Sequence, residues 1–239
     1  MSSTSAAKPR KAASRAAQVA VSVLVPYRES GPERAAAWSY LAGLWAGTGW
    51  EIVTGDASGD WSKGAAVADA LARATGDVIV MADADVWCDG VTDAVNAVNA
   101  GAAWAVPHHR VLRLTDHASR EVYATGAWPT VRTHLTYEQR PYPGQPGGGM
   151  AVMTRATYEA APIDPRFVGW GQEDEAWNVC LFRLVGKPWR GTADLWHLWH
   201  PAQPRQSRAV GSTAGRKLYK RYATARDRVR MAALVGENR

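Results

Sequence analysis

The chain has 239 residues, of which 46% are hydrophobic and 21% charged, and its net charge is +6. That is apolar material for one sizeable core, whereas no run nears the ~18 apolar residues of a membrane span and no apolar segment with a cleavage site follows the basic N-terminus. Cys88 and Cys180, each beside apolar neighbours, read as reduced core thiols rather than a disulfide or a zinc pair, so the expectation is a soluble, cytoplasmic protein.

The charge is unevenly spread. Residues 1–20 carry four basic and no acidic side chains, and residues 201–239 carry ten basic against Asp227 and Glu237, which leaves the middle at −6. Basic ends of this kind attract phosphates, nucleic acid or a membrane surface, although a solvated helix face has the same composition. The twelve tryptophans exceed what such a core requires, and some are expected to line a site.

Residues 1–18 are rich in Ala, Ser, Lys and Arg without hydrophobic period and are expected to be disordered. Val21–Val25 reads as a buried strand that Pro26 turns into a loop. The spacing of Trp38, Leu41, Leu44 and Trp45 predicts a helix over Glu33–Trp45, and Trp50–Thr54 a second strand stopped by Gly55 and Asp56. Ala65–Ala74 reads as a helix ended by Gly76, and Val78–Met81 as a third strand running into Asp83-Ala84-Asp85. Beyond residue 100, strands are expected at Ala102–Val106 and Met150–Thr154, and helices at Glu173–Leu184 and Leu218–Leu234. His108–Thr136 has no clear period, and Pro141–Gly149 reads as a flexible glycine-rich loop. Alternation of strands and helices over the first hundred residues implies an α/β fold with a mostly parallel sheet, whose ligands bind outside the carboxyl ends of the strands. The loops Pro26–Ser30, Gly55–Lys63 and Asp83–Trp87 fall on that edge. No G-x-G-x-x-G or Walker lysine loop is present, which argues against a dehydrogenase or P-loop ATPase.

Asp83 and Asp85 place two carboxylates on a turn after a buried strand, an oxygen-rich arrangement suited to Mn²⁺ or Mg²⁺ on a diphosphate. Alone, such a pair is a common acidic turn. A more specific series follows: Gly147-Gly148-Gly149-Met150, then Gly169-Trp170-Gly171-Gln172-Glu173-Asp174-Glu175, then Leu195-Trp196-His197-Leu198-Trp199-His200.

This order of parts resembles the GT-A glycosyltransferases, in particular bacterial and phage enzymes similar to the C-terminal part of the β-1,4-galactosyltransferases and polypeptide N-acetylgalactosaminyltransferases, over residues 20–235. The resemblance implies a single GT-A (Rossmann-like) domain with helices on both sheet faces, at 19–200, divided into a nucleotide-binding half (19–100) and an acceptor and metal half (101–200), with a basic helical extension at 201–239. It implies a nucleotide-sugar donor, expected to be a UDP-sugar, and Mn²⁺ or Mg²⁺. Asp83, Asp85 and His197 or His200 match the metal ligands, with Asp85 and His197 favoured. Pro26, Tyr27, Arg28 and Asp56 match the nucleoside-binding loops, Lys63 a segment that contacts donor phosphate or ribose, and Ala84 the donor-binding turn. Ser62 stands where the family usually has Asn, and Gly55–Gly59 is only a loose version of its acidic loop, so the base is left open. Asp174 matches the general base and Glu173 an acceptor-binding carboxylate, while Gly148, Gly149, Trp170 and Gly171 match the sugar and acceptor surface. Inversion at the anomeric carbon is expected. The acceptor is open among protein, glycan and nucleic acid.

Two rivals come from other classes: a metal-dependent phosphohydrolase or nucleotidyltransferase using the paired aspartates, and a non-catalytic sugar-binding protein on the same fold. The first leaves the Trp170–Glu175 segment unused, and the second leaves the carboxylates and histidines without a purpose. His108, His109, His117 and His134 have no ligand spacing and are expected on loops or the surface.

Overall fold

The computed structural model describes residues 19–130, 143, 144, 146–201 and 207–237. The N-terminal tail 1–18, His134 and part of the glycine-rich loop therefore lie outside the described residues. In chain order the elements are β1 (Val21–Pro26), α1 (Pro32–Ala46), β2 (Glu51–Gly55), α2 (Lys63–Arg73), β3 (Val78–Ala82), β4 (Val86–Trp87), α3 (Val91–Asn99), β5 (Trp104–Arg113), α4 (Asp116–Thr125), β6 (Met150–Thr154), α5 (Arg155–Ala160), α6 (Glu173–Leu184), β7 (Trp189–His197), α7 (Ser207–Thr224) and α8 (Arg228–Gly236).

One sheet of order β2-β1-β3-β6-β5-β7-β4 runs through the molecule. The pairings make β1, β2, β3, β5 and β7 run one way and β6 and β4 the other, so the sheet is mixed yet mostly parallel in direction. Because successive strand side chains alternate between faces, each central strand feeds two cores. Val78, Val80 and Ala82 meet α1, α3 and α4 on one face, through Leu41, Trp45, Val95 and Val122. Ile79 and Met81 meet α2, α6, α7 and α8 on the other, through Val67, Trp177, Tyr222 and Leu234. Helices thus cover both faces. Cys88 and Cys180 are buried and free, one in each core, and the sheet between them keeps them from pairing.

The structure departs from the sequence reading in several places. β5 continues past Val106 to Arg113. Pro107 lacks the N–H for a regular ladder, and the strand passes through it by register shifts on either side of His108. The expected helix Leu218–Leu234 is two helices, because the Asp227 side chain accepts from Arg230 N and caps α8. β4, α3, α4, α5 and β7 occupy stretches where the sequence reading assigns no element. His108 is not on the surface: it is fully buried on β5, with neither ring nitrogen hydrogen-bonded. His117 does lie exposed, on α4, opposite Glu121. Among the described residues no helix is long and apolar enough to cross a membrane.

Gly55 closes β2 directly under α2, and a Cβ there would stand 1.9 Å from Ala66 O and 2.8 Å from Ala70 N. Gly43, on the exposed side of α1, has nothing within 4 Å of such an atom. Gly55→Ala is expected to cost about 3 kcal/mol or more through overpacking against backbone, and Gly43→Ala to add about 0.5–1 kcal/mol through helix propensity. Denaturant melts of the two variants check both signs.

Candidate active site

Both approaches to the site come from the carboxyl edge of the sheet. Strand β3 ends at Ala82, and the turn that follows is pinned at two points: Asp83 N donates to Gly149 O, and Leu198 N donates to Asp85 O. The short β4 then pairs antiparallel with β7, Val86 opposite His197. This pairing carries Asp85 to the end of β7. There the Asp85 carboxylate lies 3.1 Å from His200 Nε2 and 3.8 Å from His197 Nε2. One ligand atom from each of Asp85, His197 and His200 lies within 4.8 Å of the others.

Burial alone would raise the Asp85 carboxyl, but the two imidazoles and the Arg34 guanidinium, 3.5 Å away, outweigh it and hold it well below the usual carboxylate range. Burial pushes His197 down to about 4, so its ring is neutral at pH 7. One ionised carboxylate and neutral imidazole form a nitrogen–oxygen donor set that fits a borderline divalent ion such as Mn²⁺. Guanidinium groups already face these donors: Arg113 Nη1 lies 2.9 Å from His197 Nε2, and Arg34 Nη2 3.3 Å from His200 Nε2.

Asp83 stands apart from this trio. Its carboxylate lies 2.7 Å from Lys63 Nζ, and Asp174 lies 2.9 Å from the same nitrogen. Lys63 is the first residue of α2, set there by Ser62, whose hydroxyl caps Ala65 N and donates to Pro165 O. Burial would lower the Lys63 ammonium, but Asp174, Asp83 and Glu173 outweigh it and raise it above its ordinary value. The sequence reading gives this lysine a donor contact; in the structure it joins two of the expected site carboxylates.

The segment before α6 is bent. Gly169 and Gly171 have positive φ, and so does Gln172 at φ 75°, a left-handed conformation that costs a side-chain-bearing residue about 1 kcal/mol or more. That bend turns the first turn of α6, with Glu173, Asp174 and Glu175, toward the end of β3. Burial and the neighbouring Asp174 charge push the Glu173 carboxyl up to about 7, with Lys63 opposing, and Glu173 Oε2 has no hydrogen-bond partner. Burial likewise raises Asp174, against the pull of Lys63.

These parts enclose a cleft of about 400 Å³ whose walls include Asp83, Gly148, Gly149, Gly171, Glu173, Asp174, Arg113 and His197. Gly149, at φ +73°, has no room for a Cβ beside Leu195. A second hollow of about 130 Å³ opens beside β1, lined by Pro26, Arg28, Ser30, Arg34, Trp61 and Trp170. Trp61 and Trp170 are stacked at 6.1 Å, with Arg28 over the first ring and Arg34 over the second. Arg28 Nε also donates to Asp56 Oδ1 at 2.8 Å. Tyr27 packs on Trp38 under the same loop, and Ala84 is buried between the two aspartates. Arg34 and Arg113 were not among the expected site residues. Arg34 sits in the first turn of a helix that starts at the carboxyl edge of β1, a position that could have marked it, whereas Arg113 became visible only once β5 was seen to continue past Pro107.

No protein-family model matches the chain, and no curated protein matches it. Among solved structures it is similar to Mycobacterium tuberculosis glucosyl-3-phosphoglycerate synthase, with 16% identity and a TM-score of 0.48 over 87% of this chain and 82% of that one. It is also similar to a Drosophila β-1,4-galactosyltransferase 7 variant in complex with manganese, UDP-Gal and xylobiose, with 12% identity and a TM-score of 0.44 over 80% and 74% of the two chains. At that distance the likeness assigns neither activity nor ligand to this chain.

Two outcomes follow from the charges. Lys63→Met leaves Asp83, Asp174 and Glu173 crowded without their cation and is expected to cost about 3 kcal/mol at pH 7, read from denaturant melts. Glu173 holds its proton to a higher pH folded than unfolded, so between about pH 4.5 and 7 the fold binds more protons than the unfolded chain and loses stability as pH rises. Glu173→Gln is therefore expected to match the parent at pH 4 and to exceed it by about 2 kcal/mol at pH 8, read from denaturant melts across that range.

Proposed function

We propose that the protein is a metal-dependent glycosyltransferase of GT-A type, moving a sugar from a nucleotide-diphospho-sugar to an acceptor hydroxyl with inversion at the anomeric carbon. The observation that carries this reading is that His197, clustered with Asp85 and His200, lines the same cleft as the carboxylates at the start of α6.

In this reading Asp85, His197 and His200 would hold Mn²⁺ or Mg²⁺, which would supply Lewis acidity toward a diphosphate. The hollow between the Trp61–Trp170 pair and the Pro26–Arg28 loop takes the nucleoside of the donor, expected to be UDP, with Arg28 and Arg34 at the phosphate side. Gly148 and Gly149 present backbone without side chains to the donor sugar. Lys63 keeps Asp174 ionised, and Asp174 accepts the proton of the attacking hydroxyl. Glu173, protonated over part of the physiological range, donates a hydrogen bond to the acceptor. The rival phosphohydrolase reading would leave the tryptophan pair and the α6 carboxylates without a substrate to touch.

Thermal-shift titrations with UDP, GDP and their sugars, with and without Mn²⁺, test the donor half. One nucleotide diphosphate is expected to raise the melting temperature only when the metal is present. Asp174→Asn is expected to keep that shift while lowering sugar transfer to the productive acceptor by about a hundredfold or more. Absence of any nucleotide shift would sink the transferase reading, and near-normal turnover in the variant would remove Asp174 as the base.

A further inference from the structure

Among the described residues, none from the last two helices lines the cleft. α7 and α8 pack on the far side of α6, burying Leu218 and Tyr222 from the first and Met231, Leu234 and Val235 from the second. Tyr222 OH donates to the buried Asp164, and Arg166 joins Asp164 to Glu237, so the pair is fastened to the domain in a fixed orientation.

The surface turned away from α6 has a particular chemistry. Residues 213–237 carry seven basic side chains and two acidic ones, all exposed. Both acids are engaged, Asp227 with Arg230 and Glu237 with Arg221 and Arg166. Lys217 and Lys220 stand on the outer face of α7, and Arg226 and Arg228 at the turn between the helices. On α8, helical spacing sets Val229, Ala232, Ala233 and Gly236 opposite the buried stripe, so its outer face is small, apolar and uncharged. Val229 is 79% exposed in the midst of the arginines. Between the helices lies an open hollow of about 330 Å³, with Ala225, Ala233 and Leu234 on its floor and Arg221, Arg230, Thr224 and Glu237 at its rim.

An apolar floor and an apolar helix face, flanked by the cations Lys217, Lys220, Arg226 and Arg228 in excess of the two acids, match a layer in which phosphate sits next to hydrocarbon. Lys and Arg alone also hold nucleic-acid phosphates, but a phosphate backbone offers no hydrocarbon for the exposed Val229 and the alanine face of α8, which a lipid layer does. We propose that the outer face of α7 and α8 docks on an anionic phospholipid surface, with Lys217, Lys220, Arg226 and Arg228 drawn to the headgroups and Val229 set into the interface. The proposal is independent of the transferase reading.

Sedimentation of the full chain with vesicles tests it, using phosphatidylcholine alone and phosphatidylcholine with phosphatidylglycerol in equal parts. At low salt the protein is expected to pellet at least about tenfold more with the anionic vesicles, and to be released by high salt. A variant with Lys217→Glu, Lys220→Glu, Arg226→Glu and Arg228→Glu is expected to remain in solution while melting like the parent. Val229→Asp, which keeps every cation, is expected to weaken the pelleting and to make it more salt-sensitive. Equal behaviour with both vesicle types, undiminished pelleting of the reversed-charge variant, or displacement from anionic vesicles by a short RNA or DNA at stoichiometric concentration would each overturn the proposal.

Discussion

The site depends first on the buried ammonium of Lys63. Three acidic side chains, Asp83, Asp174 and Glu173, converge from the end of β3 and the start of α6, and in a half-buried cleft they would repel one another strongly without a cation among them. Lys63 supplies it, from a position fixed by the Ser62 cap and by the close approach of Gly64, where a Cβ would stand 2.8 Å from the Ile163–Pro165 backbone. The fold therefore holds these three carboxylates in place by charge balance as much as by packing.

A second constraint separates two kinds of carboxylate only two residues apart. Asp83 and Asp85 follow the same strand, yet Asp83 faces the ammonium while Asp85 faces two histidines. The pairing of β4 with β7 produces that difference, because it turns Asp85 toward the end of β7 and fixes its backbone through Leu198. A two-residue strand thus separates the aspartate that meets Lys63 from the one that meets His197 and His200.

Much of this was legible in the sequence. The first three strands and the two helices between them appear with boundaries shifted by only one or two residues, because β-branched runs and helical spacing are local signals. α6 has the expected span, and the α/β class with helices on both faces follows from the same alternation. What was not legible depends on distant pairing. Pro107 made β5 look finished at Val106, and with β5 cut short neither β7 as its partner nor Arg113 beside His197 could be placed. Asp227 split one expected helix into two. His108, without ligand spacing, was expected on a loop or the surface, whereas it closes the unbroken buried stretch Trp104–His108 of β5. Of the candidate site residues, the motif proximity of Asp85, His197 and His200 could be read from resemblance, whereas the attachment of Lys63 to Asp174 could not, since 111 residues separate them.

The account's central claim is a divalent-cation site made by Asp85, His197 and His200, with Asp83 outside it. Electron paramagnetic resonance of Mn²⁺ tests this most directly, because the signal of the free hydrated ion falls as the ion is bound. The account predicts that the protein removes one Mn²⁺ per chain, that Asp85→Asn and His200→Ala abolish this uptake, and that Asp83→Asn retains it. No uptake by the parent protein, or uptake undiminished in Asp85→Asn, would contradict it.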